Sequence, residues 1–193
     1  MKKLPIGIQS FRDIIEGGFV YVDKTQYVYN LLNESKHTFL SRPRRFGKSL
    51  FLDTLNEVFS GDKELFKGLF IYGSDYIFEK HPVLRLDMSN ISNDTTDALR
   101  ISLSFELHRQ MQSEGLECLG ASPSDMLKFM IEGLYRKYNK KTVVLIDEYD
   151  KPIIDHLDNL TVAESNRDFL RSFYGIIKSM DAYVRLSFIT GVS

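Results

Sequence analysis

Two kinds of hydrophobic pattern alternate along the chain. Residues 142–146 (Thr-Val-Val-Leu-Ile) form an unbroken apolar run, and residues 83–88 and 183–190 are short, largely apolar stretches bounded by turn residues. Runs of this kind predict strands buried on both faces. A further short strand is predicted at residues 37–41. Between them lie longer stretches with apolar residues three and four apart, which predict helices. Residues 49–59 carry Leu50, Phe51, Leu55, Val58 and Phe59 and stop at Gly61, and residues 93–112 repeat Leu99, Leu103, Leu107 and Met111 every four positions. Ser122-Pro123-Ser124-Asp125 reads as a helix start, with a capping serine and a proline at the first helical position, followed by Leu127, Met130, Ile131 and Leu134. Thr161-Val162-Ala163-Glu164 has the form of a capping box before a helix that carries Phe169, Phe173, Ile176, Ile177 and Met180. Near the N-terminus the pattern predicts short helices at 11–15 and 27–32, with an extended segment, Phe19-Val20-Tyr21-Val22, between them. Strands alternating with helices predict an α/β fold, a three-layer αβα sandwich around a mainly parallel sheet. Residues 1–193 are expected to form one domain with residues 1–36 packed on it. Because the chain stops directly after a predicted strand, it is expected to be a piece of a longer protein.

Composition narrows the function classes without choosing one. With 193 residues and 43% apolar content the chain can bury a core unaided, and its net charge of −1 gives no global attraction to nucleic acid. No segment is apolar for long enough to span a bilayer, and one cysteine, Cys118, rules out an internal disulfide. A cytoplasmic protein is the expectation. His37, His81, His108 and His156 are scattered without the spacing of a metal site.

Candidate chemistry gathers at the ends of the predicted strands. Arg42-Pro43-Arg44-Arg45-Phe46-Gly47-Lys48-Ser49 leaves the 37–41 strand and opens the following helix. Gly-Lys-Ser at such a junction is the working half of a phosphate-binding loop (Walker A). Backbone N–H groups of residues 44–50 (Arg44, Arg45, Phe46, Gly47, Lys48, Ser49, Leu50) would wrap a polyphosphate, Lys48 would reach its terminal phosphates, and the Ser49 hydroxyl would join a Mg²⁺ shell. Five residues before Gly47, where the usual loop has a first glycine, stands Arg42, which Pro43 holds to extended geometry. The triplet alone also occurs in ordinary surface turns, and the three arginines are as easily solvated or paired with carboxylates as bound to phosphate. Phe46 is expected to pack beneath the loop. About 100 residues further on, Val143-Val144-Leu145-Ile146-Asp147-Glu148 has the form of a Walker B element. A buried strand there carries Asp147 to the carboxyl edge of the sheet as a Mg²⁺ contact, with Glu148 as general base for water. Leu186-Ser187-Phe188-Ile189-Thr190 ends in a hydroxyl, as does the additional strand inserted between the two motif strands in one class of P-loop NTPases, and Thr190 would stand beside the γ-phosphate.

Taken together, Leu4-Pro5-Ile6-Gly7-Ile8-Gln9-Ser10-Phe11, Tyr21-Val22-Asp23-Lys24-Thr25, the arginine-rich loop, and Leu145-Ile146-Asp147-Glu148-Tyr149-Asp150-Lys151-Pro152 resemble the AAA-ATPase-like family of bacterial proteins over essentially the whole chain. The resemblance implies a P-loop NTPase fold of the additional-strand type and makes Arg42 the family's own form of the loop. It also implies ATP and Mg²⁺ as ligands, with Glu148, Lys48 and Thr190 catalytic. A nuclease-like domain often follows in such proteins, so nucleic acid is an expected partner only through a part absent from this chain; homo-oligomer assembly is compatible with the resemblance and no membrane partner is implied. Asp23 and Lys24 belong to the shared segment, and a structural salt bridge is their expected role. The reading from another class is a non-catalytic scaffold that uses the arginine-rich loop to bind nucleic acid or protein.

Overall fold

The computed structural model describes residues 2–117 and 122–192; Cys118 lies outside the described residues. Four strands form one parallel sheet: β1 (His37–Ser41), β2 (Val83–Asp87), β3 (Thr142–Asp147) and β4 (Val184–Gly191), in the order β1-β4-β3-β2. β4 is therefore inserted between β1 and β3, the additional-strand arrangement. Every residue of β3 is buried. Alternate residues serve opposite faces: Val144 and Ile146 join Leu84 and Leu86 of β2 in one core, while Val143 and Leu145 join Leu186 and Phe188 of β4 in the other. The unbroken apolar run of β3 exists because both faces of the sheet are covered. Against Thr142 and Val143 the register of β4 slips from Val184 to Leu186, a bulge at Arg185 that reverses which face the rest of β4 presents.

Helices α4 (Thr96–Ser113), α5 (Pro123–Tyr138) and α7 (Leu160–Ser179) cover the first face, with the single turn α6 (Lys151–Ile154) ahead of α7. Leu99, Leu103, Leu107 and Met111 of α4 are fully buried there, as their four-residue repeat predicts. Ser122 caps α5 by accepting the Asp125 N–H, and Pro123 sits in its first turn. Two starts differ from the sequence reading. α4 begins at Thr96 with Thr95 as its cap, and Asn93 is instead a buried side chain bonded to Asp155 and His156. α7 is capped by Asn159, whose side chain accepts the Val162 N–H, so Thr161 lies inside the first turn and the Thr161–Glu164 capping box does not form.

The second face is covered by α1 (Phe11–Glu16), α2 (Thr25–Glu34) and α3 (Lys48–Ser60), with 3₁₀ turns at Lys63–Phe66 and Phe70–Gly73. Ser10 caps α1. Phe11 stacks on Phe66 with ring centroids 4.8 Å apart and meets Tyr21 edge-on at 5.1 Å. Residues 19–22 run extended without pairing into the sheet. Asp53 of α3 fastens this layer: its carboxylate accepts the buried Phe11 N–H at 2.7 Å and Arg85 Nη1 of β2 at 2.5 Å. Removing this acceptor strands the buried Phe11 N–H, while the half-exposed Arg85 turns to solvent. Asp53→Ala is therefore expected to destabilise the fold by about 2 kcal/mol, read as a lower urea midpoint with an unchanged slope.

Candidate functional site

Parallel strands bring their carboxyl ends to one edge, and the sheet order sets three of these ends side by side. β1 runs into the loop, β4 ends in Thr190-Gly191, and β3 ends in Asp147. Leu40 is paired with Thr190 and Ser41 with Gly191, and the Arg42 N–H continues the ladder onto the Gly191 carbonyl at 3.2 Å. Asp147, only 4% exposed, accepts the Thr190 hydroxyl, and the Glu148 N–H at 3.1 Å, both on Oδ1. Lys48, Asp147 and Thr190 are buried, while Ser49 and Glu148 are half-buried.

The loop turns without an early glycine. Arg45, at φ 67°, and Gly47, at φ 75°, take left-handed conformations. For arginine this costs on the order of 1–2 kcal/mol. Gly47 opens α3, whose first N–H groups have no partner within the helix and point toward the loop's hollow. Lys48 folds back into that hollow: Nζ donates to the carbonyls of Arg42 at 2.9 Å and Pro43 at 3.1 Å. Two of the three ammonium donors are thus engaged by the loop itself, leaving one for an incoming oxygen. The arginines point outward. Arg42, Arg44 and Arg45 are exposed, with Arg42 Nη1 near the Ser41 carbonyl at 3.4 Å. Phe46 corrects the expectation that it packs beneath the loop, being 69% exposed.

Beside the loop opens a cleft of about 680 Å³. Its walls come from the N-terminal segment (Leu4, Val22, Tyr27), from β1 (Thr38, Leu40) and from the loop and α3 (Phe46, Phe51). Thr38 Oγ1 is the one buried side-chain nitrogen or oxygen without a hydrogen-bond partner among the described residues. Lys24 lines this wall and Asp23 anchors the segment behind it, without a salt bridge between the two. Asp23 accepts the Thr25 N–H and hydroxyl at 2.8 and 2.7 Å and the Phe70 N–H at 2.8 Å, while the Lys24 ammonium lies 5.9 Å from the Tyr27 ring centre. The bond from Phe70 is not visible from spacing, because Phe70 is remote in sequence.

For a metal, the side chains at hand are the Ser49 hydroxyl and the Asp147 carboxylate. Among the described residues no three His, Cys, Asp or Glu side chains gather as a metal cage. Two hard oxygen donors fit Mg²⁺, which takes few protein ligands and completes its shell with water and phosphate.

A loop of this shape before a helix, opposite an acidic strand end and flanking an inserted strand, defines a P-loop-NTPase-like αβα sandwich. The family model described as "Predicted AAA-ATPase" matches residues 5–193, and the chain belongs to that AAA-ATPase-like family. It is 43% identical, over its whole length, to a protein of Azotobacter chroococcum mcd 1 described as "Uncharacterized protein in vnfD 5'region". The chain spans 37% of that relative's length. No solved structure matches the chain. No helix among the described residues is long and apolar enough to cross a membrane.

Two outcomes follow from the local geometry. A Cβ on Gly47 would meet nothing within 4 Å. Gly47→Ala is therefore expected to cost only the left-handed backbone term, about 1–2 kcal/mol in a thermal melt. For Asp23, burial raises the carboxyl's pKa, but the bonds from Phe70 and Thr25 outweigh it, so the group lies below the usual carboxylate range. A depressed folded-state pKa contributes stability that is present above the unfolded value, about 3.9, and is lost as pH falls through the folded one. Asp23→Asn should be less stable than wild type at pH 7, with the gap closing below about pH 4 in parallel urea melts.

Proposed function

We propose that this chain binds ATP with Mg²⁺ and hydrolyses it, and that residues 1–193 act as one module with residues 1–36 forming its outer wall. The convergence of the Arg42–Gly191 ladder bond with the Thr190–Asp147 pair carries the proposal: it puts the loop entrance, a buried carboxylate and a polar strand end within neighbouring strands. Triphosphate oxygens would take the free N–H groups of α3 and the remaining donor of Lys48. Mg²⁺, held by Ser49 and, through water, by Asp147, would neutralise β- and γ-phosphate charge when bound. Glu148, one residue past the buried strand, would accept the proton of the attacking water, while the Thr190 hydroxyl would face the γ-phosphate. The base and ribose would enter the cleft beside the loop. Among the described residues no Asp or Glu lines that cleft, so none of them is there to accept the N–H groups of a guanine edge. A χ1 rotation that exchanges the Thr38 methyl and hydroxyl would offer that hydroxyl to adenine.

In the longer relative's context, turnover would drive or regulate an attached module, with nucleic acid and further copies of the chain as candidate partners. Calorimetric titration with Mg-ATP tests the first step: wild type should bind, and Lys48→Ala should bind at least about tenfold more weakly. Glu148→Gln should keep the affinity and lose about 10²-fold or more in phosphate release. Absence of heat with the unmutated chain would sink the proposal. A steep loss of DNA binding with salt, without phosphate release, would instead favour a scaffold that uses its exposed arginines.

A further inference from the structure

The three parts of the site meet at Gly191. Its carbonyl accepts the Arg42 N–H at the loop entrance, it follows Thr190 directly, and the turn after Asp147 presses against its Cα. A Cβ there would lie 2.5 Å from the Tyr149 ring and 2.8 Å from Asp150 Oδ1. Gly191 is not among the glycines with positive φ, so space rather than backbone conformation requires it.

Glu148 has the opposite character. It is a non-glycine residue at φ 51°, and a strained step of that kind persists only where its surroundings hold it. Three of its holds run to the end of β4 and to α7. The Tyr149 N–H donates to the Thr190 carbonyl at 2.9 Å, and the Tyr174 hydroxyl donates to the Tyr149 carbonyl at 3.1 Å. Asp150, 3% exposed, accepts the Val192 N–H on Oδ2 at 2.9 Å.

We infer that Asp150, seated against the bare Cα of Gly191, is a positioning residue that holds the left-handed turn aiming Glu148 and locks it to the end of β4. Through the Gly191 carbonyl the same lock registers the turn against the entrance of the phosphate loop. Asp150 acts through Glu148, so the inference rests on the proposed ATPase reading for its catalytic consequence. Its structural consequence stands apart from that reading.

The test compares Asp150→Ala, Asp150→Asn and Gly191→Ala in the full chain, with Asp53→Ala as the control for lost stability at a distance. Amide hydrogen exchange is expected to rise about tenfold or more at residues 148–151 and 191–192 in Asp150→Ala, and also at Arg42 in Gly191→Ala, while the rest of the sheet keeps its protection. Mg-ATP affinity should stay within about threefold of wild type while kcat falls about 10- to 100-fold, the signature of a misaimed base. Asp150→Asn, which keeps an acceptor for Val192, should recover most of both. Exchange that rises evenly over the chain, as in Asp53→Ala, overturns the inference, as does an unchanged kcat in an Asp150→Ala protein whose turn has loosened. Should the wild-type chain neither bind nor turn over Mg-ATP, the ATPase reading fails and the exchange pattern alone decides: local loosening upholds the lock, and even or absent loosening removes it. If Asp150→Ala does not fold, Gly191→Ala carries the same comparison, since it displaces the carboxylate without deleting it.

Discussion

A carboxylate at the tip of a strand buried on both faces must find its hydrogen bonds among its neighbours, because water does not reach it in quantity. Asp147 is in that position, and its needs organise the site. The Thr190 hydroxyl and the Glu148 N–H satisfy Oδ1, so β4 has to lie beside β3 and the chain has to bend sharply straight after the strand. Inserting β4 between β1 and β3 then places the loop entrance one strand further on. An aspartate in this setting is costly unless such partners exist, whereas at the rim of an antiparallel sheet it would simply be solvated. The arrangement of the three motif segments can be read as a consequence of that one desolvated group.

The N-terminal layer answers a different demand. Residues ahead of β1 add Phe11, Val28 and Leu32 to the core under α3. Besides hydrophobic burial, they are fixed by carboxylates that accept backbone N–H groups from distant segments. Asp53 takes the first N–H of α1, and Asp23 takes that of Phe70 in the second 3₁₀ turn. Both bonds set directions as well as distances. Apolar contact could hold these segments in place, but it would leave their angle to the loop open, and the cleft wall depends on that angle.

Much of this was legible in the sequence wherever one signal dominated. The apolar run before Asp147, the four-residue repeat of α4, and the Ser122-Pro123 start of α5 each reflect a local rule that tertiary packing reinforces. Legibility failed where two local solutions compete or where the partner is remote. Asn159 and Thr161 are both good caps, and the fold chose the earlier one. Asn93 suits a helix start but is drawn into a buried polar network with Asp155 and His156. Phe46 is apolar, yet the turn that Pro43 and Arg45 impose points it out of the core. Gly47, Lys48, Ser49, Asp147, Glu148 and Thr190 were readable as candidates from motif spacing. The crowding around Gly191 was not, since only the folded chain brings Tyr149 and Asp150 against it.

Lys48 adds a property that motif spelling does not express. Its ammonium is already held by the carbonyls of Arg42 and Pro43, so the loop is its own first ligand. An anion arriving there finds two of the three donors taken, and it gains more than one ammonium bond only by displacing a carbonyl. A small ion such as free phosphate, offering few contacts, has little with which to offset such a displacement, whereas a chain of three phosphates could engage several N–H groups at once. A lysine held in this way raises the threshold for any anion: the grip would come from the number of contacts the ligand makes, not from the charge of Lys48 alone.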